Sequence, residues 1–154
     1  MVSTGVDGKR NIMSVAMFAY MSGRLVSVGI APSRWTFELI KKSREYVVNV
    51  VDEDLIKAIK ICGENSGRDV DKFELTGLTP VKGIRVNAPT IKESPVSLEC
   101  KVVQEIEIGG HVWFVGEVQA AQIREDHDWK DGLMLKWIGN DRFYYKLGTE
   151  IAKF

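Results

Sequence analysis

Alternating apolar and polar residues predict that most of this chain forms β-strands. Positions 96–103 alternate well, with valine, leucine and cysteine on one side and serine, glutamate and lysine on the other. This is the period of a half-buried strand. A hairpin turn is predicted at Gly109-Gly110, and a second strand, 111–119, carries apolar residues on both faces. Shorter strands are predicted at 1–4, 25–30, 46–51, 133–138 and 143–147.

A short helix is predicted after Pro32. Ser33 and Thr36 both suit its N-cap, and its last turn, 41–44, is basic, which complements the helix dipole. The two hydroxyl groups and the Arg34 guanidinium also form a candidate phosphate site, because the free N–H groups at a helix N-terminus favour an anion. The alternative is that Ser33 and Thr36 only cap the helix and that Arg34 is a surface charge.

A second helix is predicted over 55–62. Asp52 or Asp54 caps it, apolar residues follow at helical spacing, and Gly63 suits a left-handed terminator. The apolar run 11–19 fits either a buried strand or a short helix, because periodicity does not decide between them. Irregular segments are predicted at 63–73, 75–89 and 124–132, where glycine, proline and polar residues accumulate.

Several short strands, hairpin turns and only two helices predict a mainly β fold, a small β-barrel with helical insertions. A doubly wound parallel sheet would need more alternation of strands and helices. A chain of 154 residues without repeats or linkers fits one domain, 1–154, which is long enough to bury a core.

Composition and charge argue against several classes of function. The chain is 45% hydrophobic and 27% charged, as in an ordinary globular protein, and its formal net charge is zero. A nucleic-acid-binding protein normally has a basic excess, so no nucleic-acid partner is expected. No apolar run is long enough to span a bilayer, and residues 1–10 lack the apolar core of a signal peptide. We therefore expect a cytoplasmic protein with no membrane partner.

Residues that usually carry catalysis or bind metals are sparse. Cys62 and Cys100 are predicted to be buried, reduced thiols, because there is no CxxC motif and no disulfide framework. His111 and His127 are the only histidines, and neither has a metal-ligand partner at useful spacing. Phosphate-loop, dinucleotide-binding and nucleophile-elbow motifs are absent. We expect no metal and no catalytic side chain, so a bound cofactor would carry any chemistry.

Four segments, in order along the chain, are similar to motifs of one family. They are Asn11-Ile12-Met13-Ser14-Val15-Ala16; Ser33-Arg34-Trp35-Thr36 followed by a helix and Tyr46-Val47-Val48-Asn49-Val50; Ser66-Gly67-Arg68-Asp69-Val70-Asp71-Lys72-Phe73; and Gly110-His111 with Gly116-Glu117-Val118. With these segments the chain resembles the flavin reductase-like proteins, in their flavoredoxin-like branch. The resemblance implies the family's fold, an FMN-binding split barrel of antiparallel Greek-key strands. The family has more chain before the first turn, so the first strand is expected to be cut short at Met1.

The resemblance also implies a cofactor and partners. FMN would be held non-covalently near the interface of a homodimer, with NADH or NADPH as co-substrate and a redox protein as a further partner. The leading hypothesis is an NAD(P)H-dependent flavin oxidoreductase that transfers hydride from nicotinamide to flavin. The alternatives are a flavoredoxin-type FMN electron carrier without its own NAD(P)H activity, and a non-catalytic split-barrel module for another ligand.

Cofactor contacts fall, by the same resemblance, in all four segments. Residues in 11–16 would wall the flavin rings, unless they form an ordinary core strand. Residues in 66–72 would close over the phosphate or the ribityl chain, unless they form a solvated turn. His111 would contact the nicotinamide or the flavin, or lie on the barrel surface. The predicted cofactor-binding residues are Asn11, Met13, Ser14, Val15, Ala16, Ser33, Arg34, Thr36, Ser66, Gly67, Lys72 and His111.

Overall fold

The computed structural model describes residues 1–127, 133–138 and 141–146 of the chain. Within these ranges the strands are β1 (Val2–Val6), β2 (Lys9–Met13), β3 (Phe18–Ser22), β4 (Leu25–Ile30), β5 (Glu45–Asn49), β6 (Pro80–Val81), β7 (Thr90–Ile91), β8 (Val96–Ile108), β9 (His111–Ile123), β10 (Leu133–Ile138) and β11 (Asp141–Lys146). The helices are α1 (Trp35–Ser43), α2 (Ile56–Glu64) and α3 (Lys72–Thr76), with a 3₁₀ turn at Glu53–Leu55.

Seven strands form one antiparallel sheet in the order β2-β1-β5-β8-β9-β4-β3. The longest pairing joins β8 to β9 across the predicted turn at Gly109-Gly110. Both glycines have positive φ, 58° and 78°, as the turn of a two-residue hairpin requires. The prediction of a mainly β fold with helical insertions is confirmed.

Most of the core of the described residues lies in two clusters of buried side chains, and a smaller third cluster joins Val47 to Val86 and Ala88. One packs along the sheet around Tyr46 and Phe114, which are both fully buried. The Tyr46 hydroxyl donates to the carbonyl oxygens of Val26 at 3.2 Å and Phe114 at 3.1 Å, so this buried polar group is satisfied. The other cluster packs α2 and α3 against β2, with Ile12 and Phe73 among its members. It holds the loop between α2 and α3 close to the sheet.

The predicted cap of the first helix is wrong. α1 begins at Trp35 with Arg34 as its N-cap, and no side chain caps it. Thr36 lies inside the helix and is buried, with its hydroxyl accepting a hydrogen bond from Asn11 Nδ2 at 2.8 Å. The Thr36 hydroxyl was predicted to cap the helix, but it binds Asn11 in β2 instead.

The end of the second helix also differs from the prediction. Gly63 lies within α2, which continues to Glu64 and is followed by Asn65 in an extended conformation. Asp52 precedes the 3₁₀ turn, but its side chain does not cap it. The apolar packing of α2 keeps the chain helical through a glycine that would be free to end it.

The apolar run 11–19 is neither one strand nor a helix. β2 ends at Met13, the chain is irregular over 14–17, and β3 begins at Phe18. The Ser14 hydroxyl donates to the carbonyl oxygen of Ile59 at 2.6 Å, which draws the irregular segment toward α2.

The segment 63–73, expected to be irregular, ends in α3. Asp71 caps this helix by accepting hydrogen bonds from the N–H groups of Phe73 and Glu74. The Asp71 carboxylate also pairs with Arg10 at 2.8 Å, a contact between positions far apart in sequence.

The predicted strands near the C-terminus correspond to β10 and β11, which pair with each other from Leu133↔Lys146 to Ile138↔Asp141. Residues 128–132 of the predicted loop 124–132, and Leu147, lie outside the described residues.

The first strand, β1, spans five residues. No helix in the described part of the chain is long and apolar enough to cross a membrane, and the cytoplasmic location stays a prediction.

Candidate functional site

A cleft of about 760 Å³ lies where the segment after β2, the start of α1 and the loop after α2 meet the sheet. Every predicted cofactor-binding residue lines it, so the tertiary structure brings together segments that are far apart in sequence. That these residues bind a cofactor stays a prediction. The residues in question are Asn11, Met13, Ser14, Val15, Ala16, Ser33, Arg34, Thr36, Ser66, Gly67, Lys72 and His111.

Lys72 places a buried ammonium group at one end of the cleft. The residue is 4% exposed, and its Nζ donates to the carbonyl oxygen of Cys62, in the last turn of α2, at 2.7 Å. An ammonium group has three donors, and none of the salt bridges found within residues 1–127 involves Lys72. A buried cation without an anionic partner is costly, so this end of the cleft favours an anionic ligand.

Arg34 adds a second positive charge at the same end of the cleft. Burial lowers the pKa of Lys72, Cys62 acts in the opposite direction, and the Arg34 guanidinium lowers this pKa further. Arg34 likewise takes part in no salt bridge within residues 1–127. It is the N-cap residue of α1, whose first N–H groups have no acceptor within the helix. We call Arg34, Lys72 and the start of α1 the cationic end of the cleft.

Asn11 links β2 to the neighbouring elements at the cationic end of the cleft. Its Nδ2 donates to Thr36 in α1, while its Oδ1 is buried without a hydrogen-bond partner. Gly67 covers that oxygen, since a Cβ on Gly67 would lie 2.1 Å from Asn11 Oδ1 and 2.7 Å from the Trp35 ring. The loop after α2 therefore rests directly on Asn11 and Trp35, which only a glycine at this position allows.

Replacement of Gly67 by alanine is expected to lower the free energy of unfolding by about 1–3 kcal/mol, because the added methyl group overlaps Asn11 and Trp35. Urea unfolding measures the loss. Gly63→Ala is the matched control, since Gly63 is an exposed position inside α2, where alanine favours the helix. Equal stability of the two variants would contradict the tight contact at Gly67.

Apolar side chains form part of the walls of the cleft. They include Met13, Val15 and Val28, with Leu98 from β8. The Ser14 hydroxyl donates its hydrogen to the carbonyl oxygen of Ile59, so toward a ligand it could act only as an acceptor. Cys62 is buried, and burial raises the pKa of its thiol despite the neighbouring Lys72. The prediction that both cysteines are buried thiols is confirmed.

His111 lies at the first position of β9, where it is half-buried and lines the cleft. Its Nδ1 lies 3.3 Å from the carbonyl oxygen of Gly109. Within the described residues, no group of three or more His, Cys, Asp or Glu side chains is arranged to hold a metal ion.

Sequence reasoning missed several residues of the cleft. Trp35 and Arg68 lie within recognised segments, but the sequence predicts no role in the cleft for either of them. Met17 and Gly29 gave no local signal. Their contact is tertiary: the Gly29 N–H donates to the carbonyl oxygen of Met17 at 2.9 Å across the β3–β4 hairpin.

Comparison with known proteins gives consistent matches over most of the chain. The family pattern described as "Flavin reductase like domain" matches residues 1–140. An uncharacterized protein from Archaeoglobus fulgidus is 37% identical over 134 residues, which are 86% of this chain and 74% of the relative. Among solved structures, the flavoredoxin from Methanosarcina acetivorans is 29% identical with a TM-score of 0.88, covering 99% of this chain and 85% of its own. The flavoredoxin of Desulfovibrio vulgaris (Miyazaki F) is 27% identical with a TM-score of 0.87, covering 99% and 87%.

Proposed function

The chain belongs to the flavin reductase-like family of flavin-binding oxidoreductases, and on this premise we propose that it binds FMN in the cleft and reduces it with NADH or NADPH. The observation that carries the proposal is the cationic end of the cleft. There, a 4% exposed Lys72 and Arg34 have no anionic partner within residues 1–127. A phosphate group supplies the missing negative charge.

The residues of the cleft fit a ligand with a phosphate at one end and an aromatic body. Lys72, Arg34 and the first N–H groups of α1 would hold the phosphate, with Ser33 and Ser66 beside them. Met13 and Val15 face the same cleft and would cover the apolar part of the ligand. Donors at one end and apolar walls along the rest are the usual construction of a cofactor site.

FMN, when bound, supplies the ring that accepts hydride from a nicotinamide. The protein would then position the flavin ring and the nicotinamide against each other and exclude water. Apolar side chains such as Met13 and Val28 lower the polarity of the cleft and keep solvent from its walls. Burial raises the pKa of Cys62, which keeps its thiol neutral and disfavours it as a base. The proposal requires no acid or base from the protein for the transfer itself.

A visible absorbance spectrum tests the proposal. The purified protein, mixed with FMN and freed of excess cofactor, is expected to show a flavin spectrum that anaerobic NADH or NADPH bleaches. A protein that neither retains added FMN nor uses it as a substrate would overturn the proposal. That result would favour the alternative that the chain is a split-barrel module for another ligand.

A second candidate function is electron transfer through tightly held FMN without NAD(P)H activity. The observation in its favour is the similarity to two flavoredoxins at 29% and 27% identity. The same spectrum separates the two functions, since a carrier retains FMN but is not bleached by NADH or NADPH. A reduced redox protein would then be the partner that supplies the electrons.

We further propose that two copies of the chain form a homodimer through β3. This strand lies at the edge of the sheet and exposes large apolar side chains, with Phe18 46%, Tyr20 67% and Met21 49% exposed. An edge strand also presents unpaired backbone groups, which a second strand can satisfy. Phe18 lines the cleft as well, so a partner on β3 would lie next to the ligand.

Replacement of Tyr20 by glutamate is expected to convert the dimer to a monomer and to weaken FMN binding, because a charge would be buried at the interface. Sedimentation velocity at micromolar concentration measures the change. Ile84→Glu is the control, since Ile84 is an apolar residue that is 66% exposed and does not line the cleft. A monomeric parent protein, or a Tyr20→Glu variant that remains dimeric, would contradict the proposal.

A further inference from the structure

Arg68 joins the two sides of the cleft at its cationic end. Its guanidinium donates to the carbonyl oxygen of Ser33 at 3.1 Å and pairs with the Glu38 carboxylate. Arg68 belongs to the loop after α2, whereas Ser33 lies just before α1 and Glu38 lies in its first turn. One side chain therefore connects a loop to the helix terminus across from it.

The loop that carries Arg68 is a compact turn. The Ser66 hydroxyl accepts from the N–H of Arg68 at 3.2 Å, and the Ser66 carbonyl accepts from the N–H of Asp69 at 3.1 Å. At its far end, Asp71 is anchored to Arg10 by an ion pair of 2.8 Å. The near end of the turn is held on α1 in two ways, by the close packing of Gly67 on Trp35 and by the Arg68 contacts to Ser33 and Glu38.

Arg68 has a different role from Arg34. Its donors are directed to a carbonyl and a carboxylate of the protein, while Arg34 forms no salt bridge within residues 1–127. Ser66 and Gly67, which line the cleft, directly precede Arg68 in the chain. Loss of the Arg68 contacts would therefore loosen this part of the loop, which would then be held only by the packing of Gly67 on Asn11 and Trp35.

We propose that Arg68 is a positioning residue that, together with Glu38, holds the 66–71 loop over the phosphate end of the ligand and sets how slowly the ligand leaves. The inference rests on the proposed binding of FMN. If the loop is held closed, the flavin is retained, and if the loop opens, the flavin is released. Exposed ion pairs contribute little to global stability, so variants at these two positions are expected to fold.

The first test needs no cofactor. Hydrogen exchange is measured at the backbone amides of positions 68 and 69 in the cofactor-free protein. In both Arg68→Ala and Glu38→Gln these amides are expected to exchange at least roughly three times as fast as in the parent. Arg24→Ala is the matched control, because it removes an exposed arginine–glutamate pair, with Glu117, outside the cleft. Unchanged exchange in the two loop variants would overturn the inference, even if FMN does not bind at all.

The second test measures FMN release by stopped-flow fluorescence. Both variants are expected to release FMN roughly three- to tenfold faster, with association rates within about twofold of the parent. The double variant is expected to release FMN no faster than Arg68→Ala, since both changes break one connection. If Arg68→Ala weakens binding while Glu38→Gln strengthens it, Arg68 is a direct phosphate ligand and the inference is wrong. If the parent binds no FMN, it is the proposed function that fails.

Discussion

Replacement of Glu99 by glutamine is expected to lower the free energy of unfolding by about 3 kcal/mol. Glu99 is fully buried in β8, and its carboxylate accepts from the N–H groups of Ile84 at 2.8 Å, Arg85 at 2.6 Å and Val86 at 3.1 Å. Gln122 Nε2 donates to the same group at 2.6 Å. Each oxygen accepts two of these bonds, so an amide NH₂ in either orientation would face donors instead of an acceptor.

Chemical denaturation at neutral pH measures this loss. Glu45→Gln is the matched control, because the Glu45 carboxylate accepts a single bond, from the N–H of Asn87 at 2.7 Å, in the same loop. The control is expected to lose less than about 1 kcal/mol. Similar losses in the two variants would show that the four bonds to Glu99 do not act together.

The contribution of Glu99 is also expected to depend on pH. Burial by itself raises the pKa of this carboxyl, but hydrogen bonds from Ile84, Arg85, Gln122 and Val86 outweigh it and hold the pKa below its usual range. A group with a depressed pKa in the folded state stabilises the protein fully above its unfolded pKa of about 4.3. The stabilisation is lost as the pH falls through the folded pKa. The difference between the parent and Glu99→Gln should therefore shrink in acid, and a constant difference would contradict this assignment.

Replacement of Arg34 by alanine is expected to weaken FMN binding by roughly 1.5–3 kcal/mol, because one charged hydrogen bond to the phosphate is lost. Affinity for riboflavin, which lacks the phosphate, is expected to change little. Fluorescence titration with the two flavins measures both affinities. The contrast separates a phosphate ligand from a residue that merely supports the cleft.

Lys42→Ala is the control for Arg34, since Lys42 is an exposed cation in the last turn of the same helix and does not line the cleft. It is expected to bind FMN as the parent does. Unchanged FMN affinity in a folded Arg34→Ala variant would remove Arg34 from the proposed phosphate site. Equal losses for FMN and riboflavin would show that Arg34 acts on the rings or on the shape of the cleft.

The local pattern of the sequence was sufficient for most of the strands and for the hairpin between β8 and β9. Alternation depends on the two faces of a strand, and paired glycines depend on the positive φ of a tight turn, so both signals are local. The resemblance of four segments to flavin reductase-like proteins predicted which segments would meet, since every predicted cofactor-binding residue lines one cleft. Their binding to FMN stays a prediction.

Tertiary structure decided what covers each face and which partner each polar group takes. Alternation placed Glu99 on the polar side of its strand, yet the loop at 84–86 covers that side and buries the carboxylate. Thr36 suited a helix cap, but its hydroxyl accepts a hydrogen bond from Asn11 instead. The sequence allowed Lys72 to lie either in a solvated turn or over a ligand. In the structure its ammonium group is buried and bound to the end of α2. Each outcome depends on contacts between distant residues, because burial and hydrogen-bond partners are properties of the packed chain.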